Sequence, residues 1–369
     1  MTASQNSRSA FYLALALALA PVASHAASDP KAPATDTAKP EQDAAQPDLK
    51  PLPTTTPMPS EMKHLPAPTD VIDQQRFGGS KSQDGQPDTD RFGGPKTDPA
   101  YGAFQRGLYK TAYNLALPRA EAGDAAAQTL IAEILSRGLG VARNDKEAAK
   151  WYGRAAEQGV PEAQFQYALI LLDGQLAPKD RKAAYALMQS AAEAGNQLAQ
   201  FNFAQMQIEL NPGDKGLEKA AVYYERAAQS GLADAQYAMS QLYANGVGGK
   251  TKDDVEARRW LVLSARQGFD TAELDLGTWL VQGRGGAKDE KAGFAWMMQA
   301  ATGGNVAAQN RLAKLYMNGL GTDPDLISAA AWYIVARRAG LKDPAMDSFF
   351  DGLDDDQLKQ ALQRANRLR

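Results

Sequence analysis

The residues best suited to nucleophilic, acid–base or metal chemistry are almost absent from this chain. Its 369 residues include no cysteine and only two histidines, His25 and His64, both in the N-terminal part. A Ser-His-Asp triad, a cysteine nucleophile and a histidine- or thiolate-ligated zinc site therefore cannot be built after residue 64. The 40 basic and 43 acidic residues give a net charge of −3, without the basic excess typical of nucleic-acid binding.

Two acidic clusters and a glycine-rich segment remain as candidates for chemistry. Asp253-Asp254 and Asp354–Asp356 stand at predicted helix starts, where carboxylates cap the helix and favour its dipole. Gly283–Gly286 lacks the Lys-Ser/Thr that follows a phosphate-binding loop, so it is interpreted as a turn. We therefore predict no enzyme activity, no catalytic residue, no metal site and no cofactor.

Residues 1–26 have the features of a secretory signal peptide. Arg8 precedes an apolar run from Phe11 to Ala20, which Pro21 ends ahead of a small-residue cleavage site at Ala26. The run is shorter than the roughly 20 residues that span a bilayer. We expect a periplasmic protein, or secondly a secreted one, without stable membrane insertion after cleavage.

Residues 27–98 form a segment of different composition. They hold 12 of the 20 prolines and few large apolar residues, which predicts a disordered, Pro-rich tether. Arg76–Gly79 and Arg91–Gly94 both read Arg-Phe-Gly-Gly. The pair is either a short docking motif or the result of local duplication.

From about Asp98 onward the chain repeats with a period of 36 residues. Each copy has a glycine that ends a helix rich in small residues, and successive glycines are separated by 36, 36, 36, 37, 36 and 36 residues. These glycines are Gly123, Gly159, Gly195, Gly231, Gly268, Gly304 and Gly340. We expect each to adopt the left-handed conformation that terminates a helix.

Small and aromatic residues alternate on one helix stripe ahead of each glycine. Small residues recur eleven and four positions before the glycine, and a large one recurs eight positions before it. In four copies the large residue is tryptophan: Trp151, Trp260, Trp296 and Trp332. This pattern predicts closely packed antiparallel helical hairpins that stack on one another, with the tryptophans in the core.

The segments Asp145–Tyr152 and Ala155–Gly159, with Ala163-Gln164 after them, resemble the Sel-1-like repeat, a relative of the tetratricopeptide repeat. The resemblance implies an all-α fold: a right-handed α-solenoid of about seven helix-turn-helix repeats over residues 99–345. We expect residues 346–369 to form a C-terminal capping helix. The third copy has Leu210 in place of its closing glycine, so its turn must differ.

The resemblance also implies adaptor function, with the first helix of each hairpin lining a partner-binding face. Helical geometry directs one set of side chains on these helices away from the core, and we predict that they bind a protein. The set is Lys150, Arg154, Arg226, Arg259, Leu263, Met298 and Ile334. Its basic half continues into an apolar half, which would suit a peptide or helix carrying acidic and then apolar residues. The alternative is that neighbouring helices or the C-terminal cap cover Ile334 and Val335.

The predicted function is therefore a non-enzymatic periplasmic scaffold or regulator, with a sensor or envelope complex as the protein partner. One alternative is an envelope enzyme acting on peptidoglycan or β-lactams through carboxylates. Another is a structural protein of the cell envelope. The β-lactam activity described for some Sel-1-like proteins belongs to cysteine-rich members, and this chain has no cysteine.

Overall fold

The computed structural model of the protein describes residues 98–368, which form sixteen α-helices and no β-strand. The predictions about the signal peptide, the Pro-rich tether, both histidines and both Arg-Phe-Gly-Gly motifs concern residues outside this range, except for Asp98 at the end of the tether. The helices are α1 (Pro99–Gln105), α2 (Tyr109–Glu121), α3 (Ala125–Arg137), α4 (Asp145–Glu157), α5 (Pro161–Asp173), α6 (Arg181–Glu193), α7 (Gln197–Leu210), α8 (Asp214–Gln229), α9 (Ala233–Asn245), α10 (Asp254–Ala265), α11 (Asp270–Gln282), α12 (Glu290–Thr302), α13 (Val306–Asn318), α14 (Leu326–Arg338), α15 (Pro344–Asp351) and α16 (Asp355–Ala365).

Helices α2 to α15 pair into seven hairpins, which confirms the helix-turn-helix prediction for this part of the chain. We call the first helix of each hairpin the A helix and the second the B helix. From α1 to α14 each helix packs against the next one, and α16 packs on α14, so the hairpins stack into an α-solenoid. Each A helix from α4 to α12 is thus held between two B helices.

The seven hairpin glycines all have the predicted left-handed backbone, with φ between 77° and 98°. No atom lies within 4 Å of the position that a Cβ would occupy at any of them. The requirement for glycine is therefore one of backbone conformation rather than of space.

The core consists mainly of small side chains between the A and B helices. Alanines of the predicted stripe, such as Ala148, Ala184 and Ala220, are almost completely buried. Trp151 and Trp332 are buried as predicted, whereas Trp260 and Trp296 are half-buried and pack against neighbouring core clusters. Small residues let the helices approach closely, and the rings fill the remaining gaps.

A buried glutamine near the start of the B helix ties it to its A helix in five of the hairpins. Its side-chain Nε2 donates to the backbone carbonyl eight residues earlier, at distances of 3.1 to 3.4 Å. We call this contact the glutamine clasp; it is made by Gln128, Gln164, Gln200, Gln236 and Gln309. Glu273 occupies the same position in the α10–α11 hairpin and is also buried.

In some clasps the glutamine Oε1 also accepts a hydrogen bond from a residue at the end of the next A helix, and in others it does not. Gln158 donates to Gln128 Oε1 at 2.8 Å, and Gln267 donates to Gln236 Oε1 at 2.7 Å. Both donors directly precede a hairpin glycine. The buried Oε1 atoms of Gln164, Gln200 and Gln309 have no partner, and the corresponding residues of the following hairpins are Ala194, Ser230 and Ala339.

The third turn differs from the others, as the replacement of its glycine by Leu210 predicts. Only residues 211–213 separate α7 from α8, whereas seven or eight residues join the other B helices to the next A helix between α3 and α14. The backbone turns at Gly213, whose φ is 95°, and α8 starts early, so that it has 16 residues. Gly216 then lies so close to the preceding turn that a Cβ there would overlap the Asn211 carbonyl oxygen.

The C-terminal residues form two helices rather than one. Helix α15 completes the seventh hairpin, and α16 folds back onto α14, where Ala361 and Ala365 are buried against Ala330 and Ile334. Asp354 caps α16 through a capping box with Gln357. The helix that closes the end of the array thus begins at Asp355, later than the predicted start at residue 346.

Candidate functional site

All seven predicted protein-binding residues lie on A helices, and the structure separates them into two groups. Lys150 and Arg154 on α4, Arg226 on α8, and Arg259 and Leu263 on α10 are exposed. Met298 on α12 is half-buried against the C-terminal core cluster, and Ile334 on α14 is buried.

Ile334 does not lie exposed on the binding face; the alternative, in which the C-terminal cap covers it, is confirmed. It is 6% exposed because α16 covers it, with Ala361 and Ala365 in the same cluster. The neighbouring Val335 also packs against that cluster. The proposed apolar half of the surface is therefore closed by the chain's own C-terminal helix, and the basic half is what remains exposed.

Two arginines of this basic half lie over aromatic rings of their own helices. The Arg154 guanidinium carbon is 4.6 Å from the centroid of the Trp151 ring, and that of Arg226 is 5.4 Å from the centroid of Tyr223. Both arginines stand five residues before a hairpin glycine and both rings stand eight before it, so they face each other across one helical turn. We call them the arginine–aromatic pairs.

Packing fixes the positions of both rings. Trp151 is 6% exposed, so its body lies in the core while one face supports Arg154. The Tyr223 ring meets Phe203 edge-on at 4.8 Å, and Phe203 in turn contacts Tyr185 at 5.0 Å. Burial, with a smaller effect of nearby Glu193, raises the pKa of the Tyr223 hydroxyl, so this ring stays neutral at physiological pH.

The charges on the exposed surface are not all available to a ligand. Lys150 pairs with Glu147 at 3.0 Å and Arg259 pairs with Glu256 at 2.6 Å, in both cases on the same helix. Within residues 98–368, Arg154 and Arg226 have no carboxylate partner. Neither guanidinium is therefore held in a salt bridge, and both side chains are exposed.

The spacing of the arginine–aromatic pairs is visible in the sequence, although the repeat pattern by itself predicts only a core position for Trp151. Among the six copies from α4 onward, only these two combine an aromatic residue eight positions before the glycine with an arginine five positions before it. The other copies have serine, leucine, glutamine or valine in the arginine's place.

The acidic clusters take the structural roles predicted for them. Asp253 accepts backbone N–H bonds at the start of α10, and Asp254 pairs with Arg284 at 2.7 Å. Among the described residues, no group of three or more histidine, cysteine or acidic side chains is arranged to hold a metal ion. None of the described helices combines the length and apolar character needed to cross a membrane.

Comparison with known proteins gives one family. The family model for the Sel1 repeat matches residues 125–160, 161–196, 198–232, 233–269, 271–305 and 306–341. Each of these segments joins one B helix to the A helix that follows, so six matches correspond to the inner part of seven hairpins.

Two solved structures are similar along most of the array. A Sel1 repeat protein from Oxalobacter formigenes is 26% identical with a TM-score of 0.56, over 66% of this chain and 97% of that one. A protective antigen of uropathogenic Escherichia coli strains, described as having an SLR fold, is 29% identical with a TM-score of 0.51. That match covers 70% of this chain and 64% of the antigen.

A regulatory protein is similar over a shorter region. Chitin synthase regulatory factor 3 of Schizosaccharomyces pombe is 29% identical over 104 residues, which are 28% of this chain. The matched region spans only 11% of the length of that yeast protein.

Proposed function

Since the chain belongs to the Sel1 repeat family, we propose that it is a non-enzymatic scaffold or regulator that binds another protein in the bacterial periplasm. Sel1 repeat proteins generally mediate protein–protein interaction. The observation that carries the proposal is the exposed basic surface on α4, α8 and α10, with two arginines that form no salt bridge within the described chain. Charged groups left without a partner on a rigid surface are suited to an interface.

The proposed location rests on the first 26 residues. Their charged start, short apolar run and small-residue cleavage site are typical of an exported protein. In this proposal residues 27–98 connect the exported N-terminus to the repeat array, and residues 99–345 with the C-terminal helix form the binding unit. Fractionation of cells that express the full chain, or the chain without residues 2–26, tests the location. Equal amounts of both proteins in the cytoplasmic fraction would contradict export.

The partner is expected to be a sensor or an assembly of the cell envelope. The yeast relative is described as a regulatory factor, and the Escherichia coli relative is described as a protective antigen. A regulatory role is the property that we extend from the yeast protein to this chain, and the envelope as its place of action is proposed from residues 1–26.

A pull-down from an envelope extract tests the binding function. The chain from Ala27 and a shorter version from Asp98 serve as baits, and we expect both to retain the same protein. Retention by the longer bait alone would move recognition to residues 27–97, where both Arg-Phe-Gly-Gly motifs lie. Capture of peptidoglycan fragments with no protein partner would overturn the scaffold proposal in favour of the envelope enzyme.

A further inference from the structure

We propose that the two arginine–aromatic pairs bind one extended acidic segment of the partner protein, whose two anchoring carboxylates are at least about six residues apart. This inference rests on the proposed binding function and specifies the chemistry of the ligand.

The two arginines are prepared to bind carboxylates. A guanidinium group offers a planar fork of donors that matches a carboxylate bidentately. Arg154 and Arg226 already lie against Trp151 and Tyr223, so less side-chain freedom is lost when a ligand binds. Lys150 and Arg259 differ in this respect, because glutamates on their own helices already occupy them.

The distance between the pairs sets the spacing in the ligand. The pairs lie on α4 and α8, two hairpins apart, with α6 as the A helix between them. Helices in contact lie about 8–10 Å apart, and a B helix separates each A helix from the next, so the two steps from α4 to α8 correspond to about 20 Å or more. An extended chain advances about 3.3 Å per residue, so at least about six residues are needed to span this distance.

The surface between the two pairs has room for a peptide backbone. On α6 the residues equivalent to Lys150 and Arg154 are Ala186 and Ser190, and both are small and exposed. No long side chain from these two positions would block an extended segment that runs across α6.

One acidic residue restricts what the middle of the segment can contain. Glu193 at the end of α6 accepts a hydrogen bond from Gln189 at 2.8 Å and is close enough to act on the Tyr223 hydroxyl. A carboxylate of the ligand above α6 would be repelled by it. The ligand therefore carries its acidic residues at the two ends and neutral residues between them.

Fluorescence polarisation with labelled ten-residue peptides and the full chain tests the spacing. The first peptide has glutamates at positions 2 and 8 in a serine and alanine sequence, and the second has the same composition with glutamates at positions 2 and 3. We expect the first to bind at least tenfold more tightly, and its affinity to fall with added salt because charge pairing drives binding.

Substitution of both arginines tests the site. We expect R154E/R226E to weaken binding of the first peptide at least tenfold, and the milder R154Q/R226Q to weaken it less. A peptide with lysines at positions 2 and 8 should bind R154E/R226E better than the unaltered chain. Arg367→Glu makes the same change of charge at an exposed position near the C-terminus and should leave affinity unchanged.

Equal affinity for the two spacings, or unchanged binding by R154E/R226E, would overturn the inference. The pull-down separates this failure from failure of the proposed function. If R154E/R226E retains the same envelope protein as the unaltered chain, the scaffold function stands and the ligand proposal is wrong. If neither retains a protein, the scaffold function itself fails.

Discussion

At the scale of single residues, the glutamine clasp shows how one side chain serves two interfaces. The Nε2 donor holds the B helix to its own A helix, and the Oε1 acceptor faces the next A helix. A buried acceptor without a partner costs free energy because its contact with water has been lost. Three clasps carry this cost, and the sequence shows where it could be removed.

We expect Ala194→Gln to stabilise the protein by about 1 kcal/mol, since it supplies the missing donor for Gln164. Ala194 is exposed, and its backbone angles (φ −74°, ψ 3°) are close to those of Gln158 (φ −85°, ψ 3°), which already donates in this way. Urea unfolding measures the change. The same substitution in a Gln164→Leu background should bring no gain, and an equal gain there would show that the clasp is not the cause.

Glu273→Gln tests the clasp position that lacks an amide. A buried carboxylate cannot donate to the A helix as glutamine does, and burial raises the pKa of Glu273 although Gln299 donates to it. The carboxyl of Glu273 therefore binds its proton more tightly in the folded state than in the unfolded state. Protonated Glu273 favours the folded state below the usual glutamate pKa of about 4.3, and this contribution to stability is lost as the pH rises and the carboxyl ionises. We expect the variant to be more stable by about 1 kcal/mol at pH 7.

The pH dependence separates this explanation from a simple gain in packing. The advantage of Glu273→Gln should shrink toward zero as the pH falls to the usual pKa of glutamate, about 4.3. Unfolding experiments across this range measure the difference between variant and unaltered chain. A difference that does not change with pH would contradict the protonation argument.

At the scale of helices, the short connection between α7 and α8 shows how a local substitution changes an element. Without a closing glycine, the backbone turns over three residues and the released residues add a turn to α8. As a result, Gly216 lies so close to the Asn211 carbonyl that there is no room for a side chain at this position.

The same substitution should have opposite effects at two helical glycines. Gly216→Ala brings a Cβ onto the Asn211 carbonyl oxygen and should destabilise the protein by about 1–3 kcal/mol, as other overpacked sites do. Gly102→Ala lies in α1 with no atom near the new Cβ and should stabilise by up to about 1 kcal/mol through helix propensity. Thermal and urea unfolding measure both. A loss at both positions would contradict the argument from space.

Helix α16 protects the last hairpin by covering its apolar face. Ala361→Glu places a charge where the side chain is fully buried, so we expect α16 to detach and α14 to lose protection. Gln360→Glu introduces the same residue at an exposed neighbouring position and serves as the control. Hydrogen–deuterium exchange should accelerate in α14–α16 for the first variant only. Unchanged exchange in α14 would show that the cap does not stabilise it.

At the scale of the described array, packing between successive helices makes stability a chain of local interfaces. Damage to one hairpin is transmitted to its neighbours and weakens with distance. Leu242 on α9 is fully buried in the middle of the array and is a suitable position at which to measure this distance.

We expect Leu242→Ala to cost about 2–5 kcal/mol, the usual cost of such a cavity in a core. Hydrogen exchange should accelerate in α8 to α11 and stay nearly unchanged in α2 to α4, because no direct packing links the two regions. Equal acceleration along the whole array would show that the hairpins unfold as one cooperative unit.

The periodic part of this architecture could be predicted from the sequence, because each hairpin repeats the same demands on the same positions. Gly159 and Ala148 behave as their counterparts in other hairpins do. The period alone could not decide between exposure and burial of Ile334, since the covering helix lies outside the period. The contact of Arg154 with Trp151 requires side-chain positions, although its spacing was visible in the sequence.

The recurrence of the hairpin glycine, and of the clasp in five hairpins, also bears on how such a gene can change. A duplication or deletion of 36 codons joins a B helix to an A helix of the same kind, so the new junction has the helix surfaces and the turn that it needs. The number of hairpins can therefore change during evolution without the need for a new interface between helices. The C-terminal helix can cap whichever hairpin becomes the last, provided that the A helix of this hairpin has the apolar face that α14 has.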